Sequence, residues 1–367
     1  MIRKRMEPRV FELPKEKIRT GFYSDKYFVR TRQILNAQNL HPVVTAQVFC
    51  KKEAVVAGLD EAVAILKECT PFEELMVRAL YDGDRVGAWE NVMEIEGDLG
   101  HFCHLETVLL GAIARPTATA TAVAKLVGIT DKSILYFSPR FDHYRIQNID
   151  GYAARIAGAN AVSTDAAGEY LNEPGMGTIP HSLIAAFHGD TVKAALAFDD
   201  VIDAKVPRIV LVDWDNDCIG TSCRVVEAFA ERVGSDDPSR FIGEGKGKIW
   251  GVRFDTAGEL RDVSVFPESD DNRGVCTELV FKARRVFDER GWKDLKIVAS
   301  GGFNADRIRL FEERGVPVDA YGVGSAIFQE RIDFTMDVVR IKAGDGWEPC
   351  AKVGRQYNPN PRLHAVE

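Results

Sequence analysis

The sequence predicts an α/β protein in which a small α+β unit is followed by an irregular, TIM-like α/β barrel. From about residue 130 onward, short apolar runs alternate with helical segments. Before that point, residues 42–49 and 91–97 have the β-branched content or the apolar-polar alternation of strands in a sheet covered on one face. Short buried strands separated by helices form a parallel sheet, and so many of them favour a closed barrel over an open sheet.

The first third of the chain supplies the α+β unit. Residues 42–49 are the first predicted strand, residues 58–69 a helix whose apolar residues recur at helical spacing, and residues 91–97 a second strand. From Glu106 a helix rich in small residues runs to about residue 125 and joins the two parts. We therefore predict an N-terminal α+β domain, a barrel domain and a C-terminal tail, with the bounds 1–115, 116–340 and 341–367.

The barrel is predicted from short apolar runs that end in polar or glycine-rich residues. They are residues 134–138, 159–164, 184–187, 208–213, 249–255, 295–300 and 320–325. The helical segments between them include 151–158, 223–233, 277–290 and 306–314. Because the functional groups of such barrels lie at the C-terminal ends of the strands, the residues that end or follow each run are the candidates for a site.

Composition limits the classes of function. The chain has 367 residues, of which 46% are hydrophobic and 28% charged, and a formal net charge of -8. This balance is typical of a folded globular protein and argues against nonspecific nucleic-acid binding through global charge. The basic N-terminus lacks the apolar region of a signal peptide, and no later run approaches the roughly 18 apolar residues of a membrane span, so we expect a cytoplasmic protein without membrane contact. The seven scattered cysteines include no C-x-x-C pair, which predicts reduced side chains and no structural zinc.

One histidine stands out by its position. Residues 177–182, Gly-Thr-Ile-Pro-His-Ser, form a loop punctuated by glycine and proline that leads into an apolar run. Where such a loop leads into a helix, backbone N–H groups and the positive dipole end would receive a phosphate beside His181. The alternative is a helix-capping segment, with Ser182 or Thr178 as the N-cap and His181 as a partly exposed loop residue.

The strand ends carry further polar groups. Arg253 and Asp255 alternate on one predicted strand, so both project to the same face, and Thr256 begins the following loop. An arginine there suits a diphosphate, and a carboxylate suits ribose hydroxyls, directly or through hydrated Mg²⁺. A second acidic cluster, which could bind sugar hydroxyls or Mg²⁺ and could equally be a turn that caps the next helix, comprises Asp213, Asp215 and Asp217.

Two glycine-rich loops follow the last two predicted strands. Their residues are Ser300, Gly301, Gly302 and Phe303 in the first, and Gly322, Val323, Gly324 and Ser325 in the second. Glycine-rich loops in this part of a barrel recur as monophosphate cradles built from backbone N–H groups. One loop alone would be weak support, but two in tandem favour a phosphate site over simple tight turns.

With these motifs the chain resembles the nicotinate phosphoribosyltransferases. The resemblance extends over nearly the whole chain, and its most specific motif is Gly-Thr-x-x-His at residues 177–181. The other matching segments are 24–27, 106–121, 140–147, 252–256, 300–303 and 322–325. The resemblance implies an N-terminal open-faced sandwich completed by the C-terminal tail, and a homodimer with a shared active site.

The resemblance also implies an activity. Such enzymes join nicotinate to phosphoribosyl diphosphate, release diphosphate, and couple the step to ATP hydrolysis through a phosphorylated histidine, which His181 matches. Mg²⁺ and ATP are then expected, as cofactor and co-substrate, and because the tail 345–367 has one lone cysteine we do not expect the zinc-bearing extension of some relatives. Arg253 and Asp255 match the donor-binding pair.

The resemblance assigns substrate contacts to further residues. Tyr27 of the other subunit and Phe141 match the aromatic pair that sandwiches the pyridine ring, Arg145 matches an arginine of the same loop, and Thr164, with Ser163, falls near the ring substituent. The remaining expected substrate contacts are Asp213, Thr256, Ser300, Gly301, Gly302, Gly322, Gly324 and Ser325, and no residue is assigned as a permanent metal ligand.

Other functions stay open on the sequence. Asp165 lies close to the position where an acidic side chain would favour nicotinamide. A quinolinate-using relative needs a cluster of cations for two carboxylates and does not use the Gly-Thr-x-x-His loop. A barrel lyase or isomerase of a sugar phosphate would want a lysine at a strand end, and none follows the predicted strands. A barrel that binds a metabolite without catalysis is the remaining alternative.

Overall fold

The fold is taken from a computed structural model, which describes residues 3–138, 140, 142–266, 272–329 and 331–367. Two six-stranded sheets organise it, one antiparallel and one parallel. The strands in chain order are β1 (Val43–Cys50), β2 (Ala54–Val55), β3 (Met76–Ala79), β4 (Arg85–Val86), β5 (Asn91–Asp98), β6 (Ser133–Tyr136), β7 (Ala161–Val162), β8 (Ile209–Leu211), β9 (Gly251–Phe254), β10 (Lys296–Ala299), β11 (Ala320–Val323), β12 (Phe334–Ala343), β13 (Gly346–Pro349) and β14 (His364–Ala365).

Twelve α-helices are found in the described part of the chain. They are α1 (Lys15–Arg19), α2 (Lys26–Ala37), α3 (Leu59–Cys69), α4 (Leu99–Phe102), α5 (Glu106–Val127), α6 (Gln147–Ile156), α7 (Asp165–Gly168), α8 (His181–Ala186), α9 (Thr191–Val201), α10 (Cys218–Val233), α11 (Thr277–Glu289) and α12 (Ala305–Glu313). The apolar run 184–187, expected as a strand, is therefore helical. Four apolar residues fit either period, and here Ile184 is buried on a helix that starts directly after Pro180.

The antiparallel sheet joins the two ends of the chain. Its strand order is β13-β12-β1-β5-β3-β14, so β12 and β14 from the C-terminal part flank the strands of the N-terminal part. β12 pairs with β1 from Cys50 opposite Phe334 to Val44 opposite Ile341. The C-terminal part of the chain therefore rejoins this sheet at residue 334. The domain boundaries at residues 115 and 340 stay a prediction.

Helix α5 packs against the first part of the chain through its threonines. The hydroxyl of Thr117 accepts the backbone N–H of Ala57 at 3.0 Å, and that of Thr121 accepts the N–H of Val55 at 3.0 Å.

The stretch Leu99–Val127 is long and apolar enough to cross a membrane by length and composition alone, which corrects our expectation from the sequence. Over half of its most apolar window, 56%, is buried inside the structure, as in a core helix of a globular domain.

The parallel sheet is a half-barrel and not the closed barrel that we expected. Its order is β7-β6-β11-β10-β9-β8, and the edge strands β7 and β8 do not pair with each other. Residues 176–179 lie between them without forming a strand. The N–H of Met176 donates to the carbonyl of Val162 at 2.7 Å, and the N–H of Ile179 to that of Ile209 at 3.1 Å. Single hydrogen bonds thus replace a ladder on this side, because Gly175, Gly177 and Pro180 interrupt the segment.

Candidate active site

A cavity of about 460 Å³ lies at the C-terminal ends of the parallel strands. This is the end at which functional groups of such sheets gather. Its described lining residues are Phe137, Ser138, Arg140, Ser163, Thr164, Met176, Gly177, Thr178, Pro180, His181, Ser182, Leu211, Arg253 and Asp255. The histidine loop and the arginine-aspartate pair, which the sequence singled out separately, therefore meet in one cavity.

His181 is held by Asp213. The imidazole Nε2 lies 3.0 Å from Oδ1 and 3.2 Å from Oδ2 of that carboxylate, so Nε2–H donates to it. The His181 side chain is 48% exposed, whereas that of Asp213 is 9% exposed. Burial raises the pKa of Asp213, and the charge of Asp255 adds to this effect, while His181 opposes it. A buried carboxylate thus fixes the orientation of an accessible imidazole and leaves Nδ1 free of that contact.

The register of the sheet explains why these acids are neighbours. Leu211 of β8 pairs with Arg253 of β9, so the residues two positions later, Asp213 and Asp255, leave the sheet side by side. In the same way Arg253 pairs with Val298 of β10. Asp255, two positions later, therefore lies beside Ser300, the residue that follows β10.

Arg253 and Asp255 form an ion pair at the cavity wall. Nη2 of Arg253 donates to Oδ2 of Asp255 at 2.8 Å, which confirms that the two side chains share a face. Nη1 of the same arginine donates to Oγ1 of Thr178 at 2.7 Å, and its guanidinium carbon lies 5.4 Å from the centre of the Phe137 ring. Nε is buried without a hydrogen-bond partner in the described residues. An unpaired buried donor costs about 1–3 kcal/mol, and Nε of Arg253 is such a donor in this structure.

The loop after β10 is tied to Asp255. The hydroxyl of Ser300 lies 2.7 Å from Oδ1 of Asp255. Gly301 and Gly302 follow with φ angles of 84° and 74°, which side chains rarely adopt, so glycine is required at both positions. The carbonyl of Gly301 accepts a bond from Nη1 of Arg307 at 3.0 Å. These residues do not themselves line the cavity in the described part of the structure, but Ser300 connects their loop to it.

Glycine at the end of β11 makes room for an aromatic ring. A Cβ atom on Gly322 would lie 2.4 Å from Cε2 of Phe137, and one on Gly324 would lie 2.9 Å from the Phe137 carbonyl oxygen. Ser325 begins a short 3-10 helix directly after them. The packing of Phe137 therefore gives Gly322 and Gly324 a structural reason that is independent of phosphate binding.

The edge near β7 carries hydroxyl groups. Ser163 Oγ accepts the backbone N–H of Ser138 at 2.9 Å. Thr164 Oγ1 donates to Oε1 of Gln147 at 3.0 Å and accepts the N–H of Ala167 at 3.2 Å, so it is the N-cap of α7. Thr164 lines the cavity with these bonds already made.

Several predicted contacts lie away from this cavity. Thr256 is buried, with its hydroxyl 3.4 Å from Sγ of Cys218. Arg145 is exposed and contacts the hydroxyl of Tyr144, its neighbour. Tyr27 is 61% exposed on α2 and contacts Asp25. Phe141 lies outside the described residues.

The acidic cluster divides into two roles. Asp213 belongs to the cavity site through His181, whereas Asp217 caps α10 by accepting the N–H of Gly220 at 2.9 Å. Asp215 lies 3.3 Å from Arg224 at the surface. The capping interpretation thus holds for Asp217. Within the described ranges, no group of three or more His, Cys, Asp or Glu residues has the arrangement of a metal site.

Three contacts in and around the site were not predicted from the sequence. Thr178, considered as a helix cap, binds Arg253 instead, while the N-cap of α8 is Pro180. Arg307 supports the Gly301 loop, and burial lowers its pKa. Arg115 binds Asp150 through Nε at 3.0 Å and Nη2 at 2.8 Å, and it also contacts Asp142 in the loop that follows β6. No repeated pattern in the sequence predicts any of these three contacts.

Several known proteins are similar to this chain in sequence. The family model described as quinolinate phosphoribosyl transferase, N-terminal domain, matches residues 25–117. The nicotinate phosphoribosyltransferase of Bacillus subtilis is 28% identical over 254 residues, which are 68% of this chain and 45% of that protein. A nicotinate phosphoribosyltransferase of Mycobacterium tuberculosis is 29% identical over 242 residues, 64% of this chain and 46% of that protein. The matched region thus spans about half the length of these curated relatives.

Solved structures support the fold over nearly the whole chain. The nicotinate-nucleotide pyrophosphorylase of Pyrococcus furiosus has 29% sequence identity and a TM-score of 0.77, with 96% of this chain and 85% of that chain covered. The human nicotinic acid phosphoribosyltransferase has 16% identity and a TM-score of 0.63, with 87% and 74% covered. At that identity the human structure bears on the fold alone.

The fold and the site together define a class: an α/β protein that combines an antiparallel sheet with a parallel half-barrel and carries its polar groups at the strand ends. In sequence and in fold, the chain is similar to type II phosphoribosyltransferases.

Proposed function

We propose that this chain is a nicotinate phosphoribosyltransferase that forms nicotinate mononucleotide and diphosphate and couples the step to ATP hydrolysis through His181. The observation that carries the proposal is the meeting of His181, held by Asp213, with Arg253 and Asp255 in one cavity. The names of the curated relatives support the choice of base.

The histidine is arranged for phosphoryl transfer. Because Asp213 binds Nε2–H, the lone pair of Nδ1 is the nucleophile. The N–P bond forms at Nδ1 as the bond from the γ-phosphoryl group to ADP breaks. The ring then carries a positive charge, which the Asp213 carboxylate stabilises. Water later takes the phosphoryl group and releases inorganic phosphate.

The donor would be held at Arg253 and Asp255. The diphosphate leaves as the bond from ribose C1 to oxygen breaks, and the ring nitrogen of nicotinate forms the new bond to C1. An arginine at the diphosphate and a carboxylate at the ribose hydroxyls favour this transition state, in which positive charge develops on the ribose. Asp255 and Asp213, beside each other at the strand ends, would hold hydrated Mg²⁺ with the donor. Bound there, Mg²⁺ would neutralise charge on the diphosphate.

A second copy of the chain would complete the base site. Tyr27 is 61% exposed on α2, a helix without a buried residue, and Phe22 in the turn before it is 65% exposed. Exposed aromatic side chains of this kind suit an interface, so we propose a homodimer in which Tyr27 stacks on nicotinate in the partner's cavity.

The surroundings of the cavity favour nicotinate over nicotinamide. Asp165, which the sequence placed near the ring substituent, accepts the backbone N–H of Gly175 at 2.8 Å and does not line the cavity. Arg140 gives the described lining a cation that suits one carboxylate. The described lining residues include no lysine, so a lyase or isomerase that needs one has no candidate there.

Quinolinate is the second candidate substrate because the matching family model describes a quinolinate phosphoribosyl transferase. A base with two carboxylates needs more cations than the described lining offers, since Asp255 already neutralises Arg253. We therefore place quinolinate behind nicotinate.

A product assay tests the proposal. The full chain is incubated with phosphoribosyl diphosphate, Mg²⁺ and nicotinate, nicotinamide or quinolinate, each with and without ATP, and the nucleotides are quantified. We expect product from nicotinate, stimulated by ATP in the wild type and not in His181→Ala. Product from quinolinate with carbon dioxide release, independent of ATP, would replace nicotinate by the second candidate. The absence of a nucleotide product with all three bases would reject both.

A further inference from the structure

The segment that bears the histidine is a strut across the open side of the half-barrel. Residues 176–181 contact three separate places: Met176 the carbonyl of Val162, Ile179 the carbonyl of Ile209, and His181 the carboxylate of Asp213. This segment makes few backbone hydrogen bonds, and its ends are half-buried at Met176 and exposed at His181. The strands of the sheet, in contrast, are hydrogen-bonded along their length. Segments of this kind open and shift more easily than strands do.

Thr178 links this strut to the donor site. Its hydroxyl oxygen accepts the bond from Nη1 of Arg253 at 2.7 Å. Asp255 binds Nη2 at 2.8 Å, and Nε is buried without a described partner. The guanidinium is therefore positioned by two groups, of which Asp255 belongs to the rigid end of β9 and Thr178 to the strut.

We propose that Thr178 is a positioning residue that transmits the phosphorylation state of His181 to Arg253; this inference rests on the proposed function. A phosphoryl group on Nδ1 makes the imidazole cationic, and a charged donor strengthens the bond from Nε2–H to Asp213. The end of the strut at His181 is then held more firmly, three residues from Thr178. Because Thr178 holds Arg253, the strut transfers that constraint to the group that receives the diphosphate.

The coupling must act in both directions. If phosphorylation of His181 improves the site for phosphoribosyl diphosphate, then bound phosphoribosyl diphosphate favours phosphorylation by the same factor. Without the Thr178 hydroxyl, the two sites still bind their ligands, but phosphorylation of His181 no longer changes the affinity for phosphoribosyl diphosphate, and bound phosphoribosyl diphosphate no longer favours phosphorylation. Phosphohistidine is then hydrolysed without transfer, and more ATP is consumed for each nucleotide formed.

The test compares Thr178→Val, which keeps the shape and removes the hydroxyl, with Thr178→Ser, which keeps the hydroxyl. The readouts are ATP hydrolysed per nucleotide formed and the ratio of KM for phosphoribosyl diphosphate without and with ATP. A hydrogen bond to a charged group predicts that Thr178→Val loses roughly tenfold or more of the effect of ATP on KM and raises the ATP-to-product ratio. Thr178→Ser is expected to stay within about twofold of the wild type on both readouts.

A merely structural role for Thr178 would lower the rate and leave the ATP-to-product ratio unchanged, and that result would overturn the inference. If Thr178→Val does not fold, Thr178→Ala carries the same comparison, since it also lacks the hydroxyl. The wild type separates this inference from the proposed function. If ATP does not stimulate the wild type, the proposed function fails first; if it does and Thr178→Val keeps the coupling, the inference alone fails.

Discussion

Asp82 offers a prediction about stability that can be worked out from its surroundings. The carboxylate, partly buried in the turn after β3, accepts the N–H of Leu59 at 2.8 Å and the hydroxyl of Tyr152 at 3.0 Å. It thereby links the start of α3 to α6. Burial and the charge of Asp60 raise the pKa of Asp82 from 3.8 to about 7. We predict that Asp82→Asn removes much of the loss of stability that the protein suffers between about pH 4 and pH 8.

The sign follows from the protonated form. The folded state binds the Asp82 proton more tightly than the unfolded state, so stability is greatest below the unfolded pKa and falls as pH rises through the folded pKa. The difference between 3.8 and about 7 corresponds to at most roughly 4 kcal/mol, and access of water to the partly buried group reduces this. Asparagine does not titrate, so the slope in this window should flatten even if the lost acceptor lowers the stability at every pH.

Urea unfolding followed by circular dichroism at steps from pH 4 to pH 8 measures the effect. Glu61 is the natural comparison, because burial and the charge of Asp82 also raise its pKa to about 7. We expect Glu61→Gln to flatten the slope in part, and Asp82→Asn to flatten it more, since that change also lowers the pKa of Glu61. An Asp82→Asn protein whose stability falls with pH as steeply as that of the wild type would refute the reasoning.

Three further changes probe the site and the core. Asp213→Asn should remove the negative charge that holds Nε2–H of His181 and stabilises the phosphorylated ring, and it should lower the yield of phosphohistidine from ³²P-labelled ATP by roughly tenfold or more; a normal yield would contradict the role of the carboxylate. Gly322→Ala should displace Phe137, destabilise the protein by about 1–3 kcal/mol in urea unfolding and raise KM for the donor; unchanged stability and KM would contradict this packing argument. Arg208→Met should cost about 3–5 kcal/mol, because it removes the buried ion-pair partner of Asp199 and leaves that carboxylate only the longer contact with Arg232 at 3.5 Å and the N–H of Gly247; a loss below about 1 kcal/mol in the same assay would show that the ion pair is not needed.

The sequence was sufficient for those parts of the fold that local patterns determine. Alternation and apolar runs located β1, β5 and all six strands of the half-barrel. The pairing of β12 with β1 joins residues almost three hundred positions apart, and such a contact is decided by tertiary packing that no local pattern contains. The helix at residues 181–186 was missed because a short apolar run is compatible with both periods.

The same distinction applies to the candidate site. Strand alternation was enough to bring Arg253 and Asp255 together, because both belong to one element. The contact between Thr178 and Arg253 joins residues that are 75 positions apart, and Arg115 meets acids that are 27 and 35 positions away. Their partners follow from sheet order and helix docking, so only the assembled fold reveals them.

The wrong prediction of a closed barrel and the position of the candidate catalytic histidine have the same origin, which is the irregular segment at residues 176–181. A regular strand between β7 and β8 would have closed the barrel and buried residues 176–179 in a continuous ladder. The glycines and the proline that prevent this leave the segment attached by single bonds to Val162 and Ile209. A ladder would fix the direction of each side chain, whereas the strut can hold His181 at the cavity and still respond to its charge. The irregularity that made the sequence hard to interpret is therefore what the proposed coupling of two reactions at one cavity would require.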